Sequence, residues 1–402
     1  MTDYEEEASM AGTNPDIGEL ALAFEEMAQY PISGEVVIKY RDGRAVQARL
    51  SDGDGESTLR EIAYNFSSGV IRFESVRGGR FEVDPEVVVA RSEFRPIVYL
   101  DQCHWSTLSN SIFEPARIRN ERDRDAAAEL LDLAERGKVI IPVSSAHTLE
   151  TSALFDVRRQ NLASTILRLS RGWQMRSPIV VRMHEMASVL GRKLAVSSFV
   201  PETDVFSLAA GAMDTNRRVS DASGLPPGLA ALFDRMTSFS AIYDVLMNPA
   251  RIPSPKPGWH EHYQKIARDP EFQARTPKQK IIDGRALAIA DVAPEALAVA
   301  QSLGIDSLEQ VSIVLYEEFS SMPFMRLYGD AIGHRLAIRA NWEPNDLVDM
   351  LYLGCAAAYA DVVVAERTAT NYLQRAWGNR DSECPVVAKL PDAVDRLSQL
   401  LT

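Results

Sequence analysis

Two textures of hydrophobic and polar positions divide the chain. Between about Gly34 and Ala90, short runs alternate apolar and polar residues: Glu35 to Tyr40 and Ala45 to Leu50 around Asp42-Gly43, then Gly69 to Ser75 and Phe81 to Val83 around Arg77-Gly78-Gly79. A period of two broken by glycine turns predicts antiparallel hairpins, hence a small β domain over residues 31–94. From Pro96 the pattern becomes apolar runs separated by stretches of helical period. It predicts a strand at 97–100, a helix near Trp105, a helix over 123–136 stopped by Gly137, a strand at 139–143 and a helix that Glu150 opens or occupies. Residues 160–335 read as mostly helical, interrupted by a Pro/Gly-rich stretch from Pro249 through Gly258. The alternation resumes with a helix over 345–359, a strand at 362–365, a helix over 370–377 and a strand at 386–388.

The expected organisation is therefore an acidic segment (1–30) with a short amphipathic helix from Ile17 to Phe24, the small β domain (31–94), and an α/β parallel-sheet domain (95–402). The core of the last is 95–160 and 340–402, with a long helical insertion at about 161–339.

Composition changes this picture little. A chain of 402 residues, 46% hydrophobic and 25% charged, is ordinary for a globular protein of two or three domains. The N-terminus is acidic where a secretory leader would be basic and then apolar, and no apolar run is long enough to span a bilayer, so a cytoplasmic location without membrane contact is expected. Cys103, Cys355 and Cys384 show no zinc-type spacing.

Charge is more informative. Of the net −13, residues 1–27 account for −8, with eight acids and no base, leaving −5 for the remainder. Residues 158–193 carry Arg158, Arg159, Arg168, Arg171, Arg176, Arg182, Arg192 and Lys193 against Glu185 alone. Such a run either grips phosphate backbones or forms a solvated helix face. The unopposed acids before it suggest an autoinhibitory nucleic-acid mimic.

Candidate chemistry lies in acids at the ends of the predicted strands. Asp101 ends the first, Glu150 follows the second, Asp346 and Asp349 open the late helix three residues apart, and Asp361 and Glu366 flank Val362-Val363-Val364. Each alone reads equally as a helix cap or a solvated residue. Together they sit where an open α/β sheet collects its ligand site. Two carboxylates about 4 Å apart repel by roughly 4 kcal/mol at an effective dielectric near 20, so convergence calls for a cation. Rival signatures are missing: no phosphate-binding G-x-x-x-x-G-K-[ST] loop, no H-E-x-x-H, and no acid two residues before any lysine.

The chain resembles PIN-like nucleases. Val98-Tyr99-Leu100-Asp101 is similar to the family's opening strand and first acid, Pro142 through Glu150 to the segment bearing the second, and Asp346 through Arg367 to the closing helix–strand unit. Asp101-Gln102-Cys103-His104-Trp105 and Ser144-Ser145-Ala146-His147 resemble the motifs of a larger bacterial PIN-like group. Glu366 departs from the Asp more usual in the family, and the long insertion is absent from the minimal domain.

The resemblance implies a ribonuclease that hydrolyses phosphodiesters through Mg²⁺ or Mn²⁺. Asp101, Glu150, Asp349 and Glu366 would be its core carboxylates, and Asp346 and Asp361 further ligands. His104, Ser144, His147 and Thr148 are expected around them as orienting or capping groups. Arg158, Arg159, Arg168, Arg171 and Arg176 would guide nucleic acid, RNA in preference to DNA. A homo-oligomer or a regulatory protein partner is compatible with this reading. The alternatives are an inactive PIN-like scaffold or binding protein, and a DNA-directed nuclease of a stress or defence pathway.

Overall fold

Two strands that sequence periodicity does not announce hold the N-terminal sheet together. The computed structural model describes residues 17–49, 53–85, 94–196, 204–209, 211–213, 227–247, 258–338, 341–378 and 383–402. Most of the acidic segment (1–16) and the Pro/Gly-rich stretch at 249–257 lie outside these residues. The fold is mixed α/β, 59% helical, and divides into two compact units.

In the first unit, α1 (Ile17–Ala23) leads into β1 (Phe24–Tyr30), β2 (Glu35–Tyr40), β3 (Ala45–Arg49), β4 (Leu59–Asn65), β5 (Val70–Ser75) and β6 (Arg80–Val83). They form one antiparallel sheet of order β3-β2-β1-β4-β5-β6, so the two expected hairpins are its flanks and β1–β4 is the seam. Phe24-Glu-Glu-Met-Ala-Gln-Tyr30 is rich in helix formers; its position between β2 and β4 overrides that preference. Four consecutive residues, Glu26 to Gln29, are buried, which erases the period-two signal. Glu26 is neutralised by Lys39 at 2.7 Å and Arg72 at 3.3 Å.

The sheet also recruits a helix, Pro227–Met247, that the sequence reading placed in the helical insertion. Its Asp244 accepts from the Ser57 hydroxyl at 2.7 Å and the Thr58 backbone N–H at 2.7 Å. Phe239 and Tyr243 pack on Phe73, and Gln29 donates to the Thr237 hydroxyl at 2.8 Å. The sheet therefore gains an apolar cover from a segment far along the chain.

The second unit is built on a parallel sheet. Its elements are β7 (Val98–Leu100), α2 (Gln102–Phe113), α3 (Glu121–Glu135), α4 (Ser145–Ser152), α5 (Asp156–Ser170), β8 (Gln174–Met175), α6 (Pro178–Lys193) and β9 (Phe206–Ser207). With α7 the helix of the first unit, the chain continues through α8 (Trp259–Arg268), α9 (Pro270–Ala274), α10 (Pro277–Asp291), α11 (Ala293–Ser302), α12 (Leu308–Glu317) and α13 (Pro323–Ala337). It closes with α14 (Asp346–Tyr359), β10 (Val362–Val364), α15 (Arg367–Trp377), β11 (Val386–Val387) and α16 (Leu390–Leu400).

The order β11-β10-β7 is parallel throughout, with Val362, Val363 and Val364 opposite Val98, Tyr99 and Leu100. The expected strand at 139–143 appears as two single parallel bridges, Ile140 to Ile97 and Val143 to Gln174. Pro142 between them has no N–H to give, which limits a regular ladder. All three β10 residues are fully buried, and β10 touches both α14 and α16. Continuous Val runs are what a parallel sheet covered on both faces requires. Within the insertion, α10 crosses α13 so closely that a Cβ on Gly284 would lie 2.5 Å from the Gly329 carbonyl oxygen.

Candidate functional site

The register of β7 and β10 creates the site. Because Leu100 pairs with Val364, the residues that follow, Asp101 and the Ala365-Glu366 turn, emerge together at the carboxyl ends of the strands. Asp101 is fastened there. Its backbone N–H donates to the Val364 carbonyl at 2.8 Å, and its carboxylate accepts from the N–H groups of Gln102 at 2.8 Å and Glu366 at 3.2 Å. Asp101 is thus the N-cap of α2, as its sequence position allows, and also a tie to the second strand end.

Three more acids reach the same place from different helices: Glu150 from α4, Asp349 from the first turn of α14, and Glu366 from the N-cap position of α15. Their charges act on one another. The Glu150 carboxyl, although its side chain reaches solvent, is pushed up to about 8 by burial and then by Asp349, Asp101 and Glu366. Half-buried Asp349 is pushed up to about 7 by burial and then by Asp101, Asp346 and Glu366. The Cys103 thiol, although its side chain reaches solvent, is also raised, by the crowding around it and then by the charges of Asp101, Glu366 and Glu150. The leading influences on Glu150 and Asp349 include no basic side chain. Protonation of Glu150 and Asp349 would relieve this repulsion.

Two expected members are held by other partners, although the Asp346 charge still acts on Asp349. Asp346 is taken by Arg335 of α13 at 2.8 Å and by the Glu343 backbone N–H at 2.8 Å, a structural ion pair rather than an open carboxylate. Asp361 precedes β10 and accepts the Ile97 N–H at 2.8 Å. It lies at the amino end of the sheet, about 10 Å of strand from the carboxyl end where Asp101 emerges.

The residues expected around the acids are largely structural. Ser144 caps α4 in a capping box with His147: the Ser144 N–H donates to His147 Nδ1 at 3.1 Å. That makes Nδ1 an acceptor, so Nε2 carries the proton and donates to the Leu100 carbonyl at 2.7 Å. His147 is buried, stacks on Tyr99 with centroids 5.0 Å apart, and is pushed down to about 4 by burial, so it stays neutral near pH 7. The Tyr99 hydroxyl meets the Ser144 hydroxyl at 2.9 Å. Thr148 donates to the Ser145 carbonyl at 2.8 Å within its own helix. His104 is lowered chiefly by burial; one ring nitrogen approaches the Ala365 carbonyl, while Nε2 is buried without a hydrogen-bond partner among the described residues.

Sequence reading named Gln102 only within a motif and gave Arg335 no place. Gln102 is buried and donates to the Thr151 hydroxyl at 2.8 Å, tying α2 to α4. No local pattern marks Arg335, whose partner lies eleven residues on across a helix boundary.

The basic run does not form one open face. Arg159 is buried, Arg168 pairs with Glu135 at 2.6 Å, and the Arg176 Nε donates to the Asp204 carbonyl at 2.9 Å. Arg182 is buried against Glu295, and Arg192 and Lys193 both meet Glu318. Arg171 adopts a left-handed conformation at the end of α5 and is half-buried, whereas Arg158 is exposed. Local charge counting could not see the acids brought in from α3, from α11 and from Glu318 just after α12.

Among the described residues, no group of three or more acidic, histidine or cysteine side chains stands in an arrangement that would hold a metal ion. Among the same residues, no helix is long and apolar enough to cross a membrane. No family model, curated protein or solved structure matches the chain.

Proposed function

We propose that the chain is a PIN-like nuclease that hydrolyses phosphodiester bonds with a divalent cation, RNA being the expected substrate, and that Asp101, Glu150, Asp349 and Glu366 are its working carboxylates. The observation that supports this reading is the electrostatic coupling of four acids at the carboxyl end of a parallel sheet, with no basic side chain among the leading influences on Glu150 and Asp349. An all-oxygen donor set suits Mg²⁺ or Mn²⁺, and the raised carboxyls describe a charge excess that a dication would relieve. Those four residues would hold it. When bound, such an ion polarises phosphoryl oxygens and acidifies the attacking water.

The chain's own residues supply position. Two backbone N–H groups fix the Asp101 carboxylate, and the Arg335–Asp346 pair anchors the first turn of α14 from which Asp349 projects. Neutral His147 locks the end of β7 to the start of α4 and so sets the position of Glu150. Its low affinity for protons fits this fixed role better than proton transfer. The scaffold reading draws on the lack of a ready-made ligand group among the described side chains.

Cleavage of single-stranded RNA in Mn²⁺, together with Mn²⁺ calorimetry, separates the two. The nuclease reading expects both signals in the wild type and neither in Asp101→Asn. Equal cleavage by the variant, or activity in excess chelator, contradicts it. Absence of both signals in the wild type favours the scaffold. A panel of RNA and DNA substrates decides between the RNA- and DNA-directed forms.

A further inference from the structure

Beside the carboxylates, α2, α3 and α16 border an open cavity of about 390 Å³ whose lining includes His104, Arg117, Arg119, Asn120, Asp123 and Lys389. Ligand sites generally occupy about 300–1,000 Å³, so this one is of a size for a single nucleotide unit. Its charge is mainly positive. Arg119 and Lys389 are exposed and have no ion pair among the described residues, whereas Arg117 is shared with Glu114 at 2.6 Å and Asp123 is the one acid in the lining.

Two helices begin at its rim: α3, with Asn120 as N-cap, and α16, with Lys389 in that position and no side-chain cap bond. Asn120 already caps the Arg122 N–H, and acids stand in both first turns (Glu121 and Asp123, Asp392), so the attraction for an anion comes from the cations of the lining rather than from the helix ends. His104 of α2 also lines the cavity.

We propose that this cavity binds the phosphate group of a nucleotide, with Arg119, Lys389 and Arg117 as its cationic contacts and His104 at its inner wall. Phosphate suits the guanidinium forks, and a ribose hydroxyl suits the histidine. The wall is shared with the carboxylates, since His104 is three residues beyond Asp101 and its ring approaches the Ala365 carbonyl next to Glu366. The nucleotide is either free or the phosphorylated end of a strand. Binding itself does not depend on the nuclease reading.

Calorimetry on the full chain in chelator, which leaves no divalent cation for cleavage, tests this with three probes: adenosine 5′-monophosphate, a short RNA with a 5′-phosphate, and the same RNA with a 5′-hydroxyl. Saturable binding of either phosphorylated probe is expected, with the hydroxyl RNA at least about tenfold weaker than its phosphorylated form where that RNA binds. A preference between the phosphorylated probes assigns the source. The double variant Arg119→Ala/Lys389→Ala, both at exposed positions, should weaken binding by about tenfold or more, and Glu114→Gln, which releases Arg117, should tighten it. Unchanged melting of the double variant shows that the fold survives, and unchanged Mn²⁺ binding separates this pocket from the carboxylates. No saturable binding of either phosphorylated probe at millimolar concentration overturns the proposal, as does undiminished affinity in the double variant.

Discussion

Replacing Asp349 with Asn should make the metal-free protein more stable at high pH, the reverse of what removing a well-placed charge normally does. In the folded chain this carboxyl is raised from an ordinary value of 3.8 to about 7, by burial first and then by Asp101, Asp346 and Glu366. A folded value above the unfolded one means that the native state binds more protons between the two. Stability from this group is therefore full below pH 3.8 and is lost as pH rises through about 7. A shift of that size corresponds to at most about 4 kcal/mol, and solvent on the open side of the cleft should reduce it to about 1–2 kcal/mol.

Thermal melts of wild type and Asp349→Asn in chelator should nearly coincide at pH 4 and separate by pH 8, with the variant higher by about 2–6 °C. Glu150→Gln combined with Asp349→Asn should give less than the sum of the single effects, because each relieves the same repulsion. Adding Mn²⁺ should reverse the order, since at a hundredfold excess over its Kd a bound ion stabilises the wild type by about 2.7 kcal/mol. A variant less stable than wild type at pH 8 in chelator, or a gap that does not change with pH, would refute the account of coupled carboxylates.

Other substitutions probe the surrounding framework. His147→Ala strands the Ser144 N–H and the Leu100 carbonyl in a buried setting and should cost about 2–4 kcal/mol in denaturant melts, whereas a proton-carrying role would leave stability nearly intact. Because His147 is held near 4, no inflection between pH 6 and 7 in the pH–rate profile should vanish with its replacement. Arg335→Met leaves Asp346 with only the Glu343 N–H and should destabilise by about 2–3 kcal/mol, while Asp346→Asn should retain Mn²⁺ affinity within severalfold, as titration calorimetry would read. Asp361→Ala removes the acceptor for the Ile97 N–H at the far end of the sheet. It should lower stability by about 1–2 kcal/mol and leave RNA cleavage per folded molecule unchanged.

What could be read from the sequence was what is local. The hairpins β2–β3 and β5–β6 carry their turns and alternation with them, and the strand ends at Leu100 and Val364 are marked by apolar runs followed by acids. The seam strands β1 and β4 were hidden because central burial removes alternation and their composition favours helix. The helix at Pro227–Met247 gave no sign of its partner, since the pairing of Asp244 with Ser57 and Thr58 spans nearly half the chain.

The same distinction applies at the acids. Position along the sequence pointed to Asp101, Glu150, Asp349 and Glu366, whose charges act on one another in the folded chain, but it could not tell which end of β10 Asp361 occupies relative to Asp101, nor that Arg335 claims Asp346. That the arginine run does not form one open face was hidden for a related reason: its counter-charges arrive from elsewhere in the chain.

The central claim is that these four carboxylates share a cation. Anomalous diffraction from crystals soaked in Mn²⁺ tests it most directly. A peak bounded by the carboxylates of Asp101 and Asp349, with Glu150 or Glu366 completing the contact, is predicted, and it should disappear in Asp101→Asn crystals. Mn²⁺ peaks elsewhere in the crystal with none at the carboxyl ends of β7 and β10 would contradict the account.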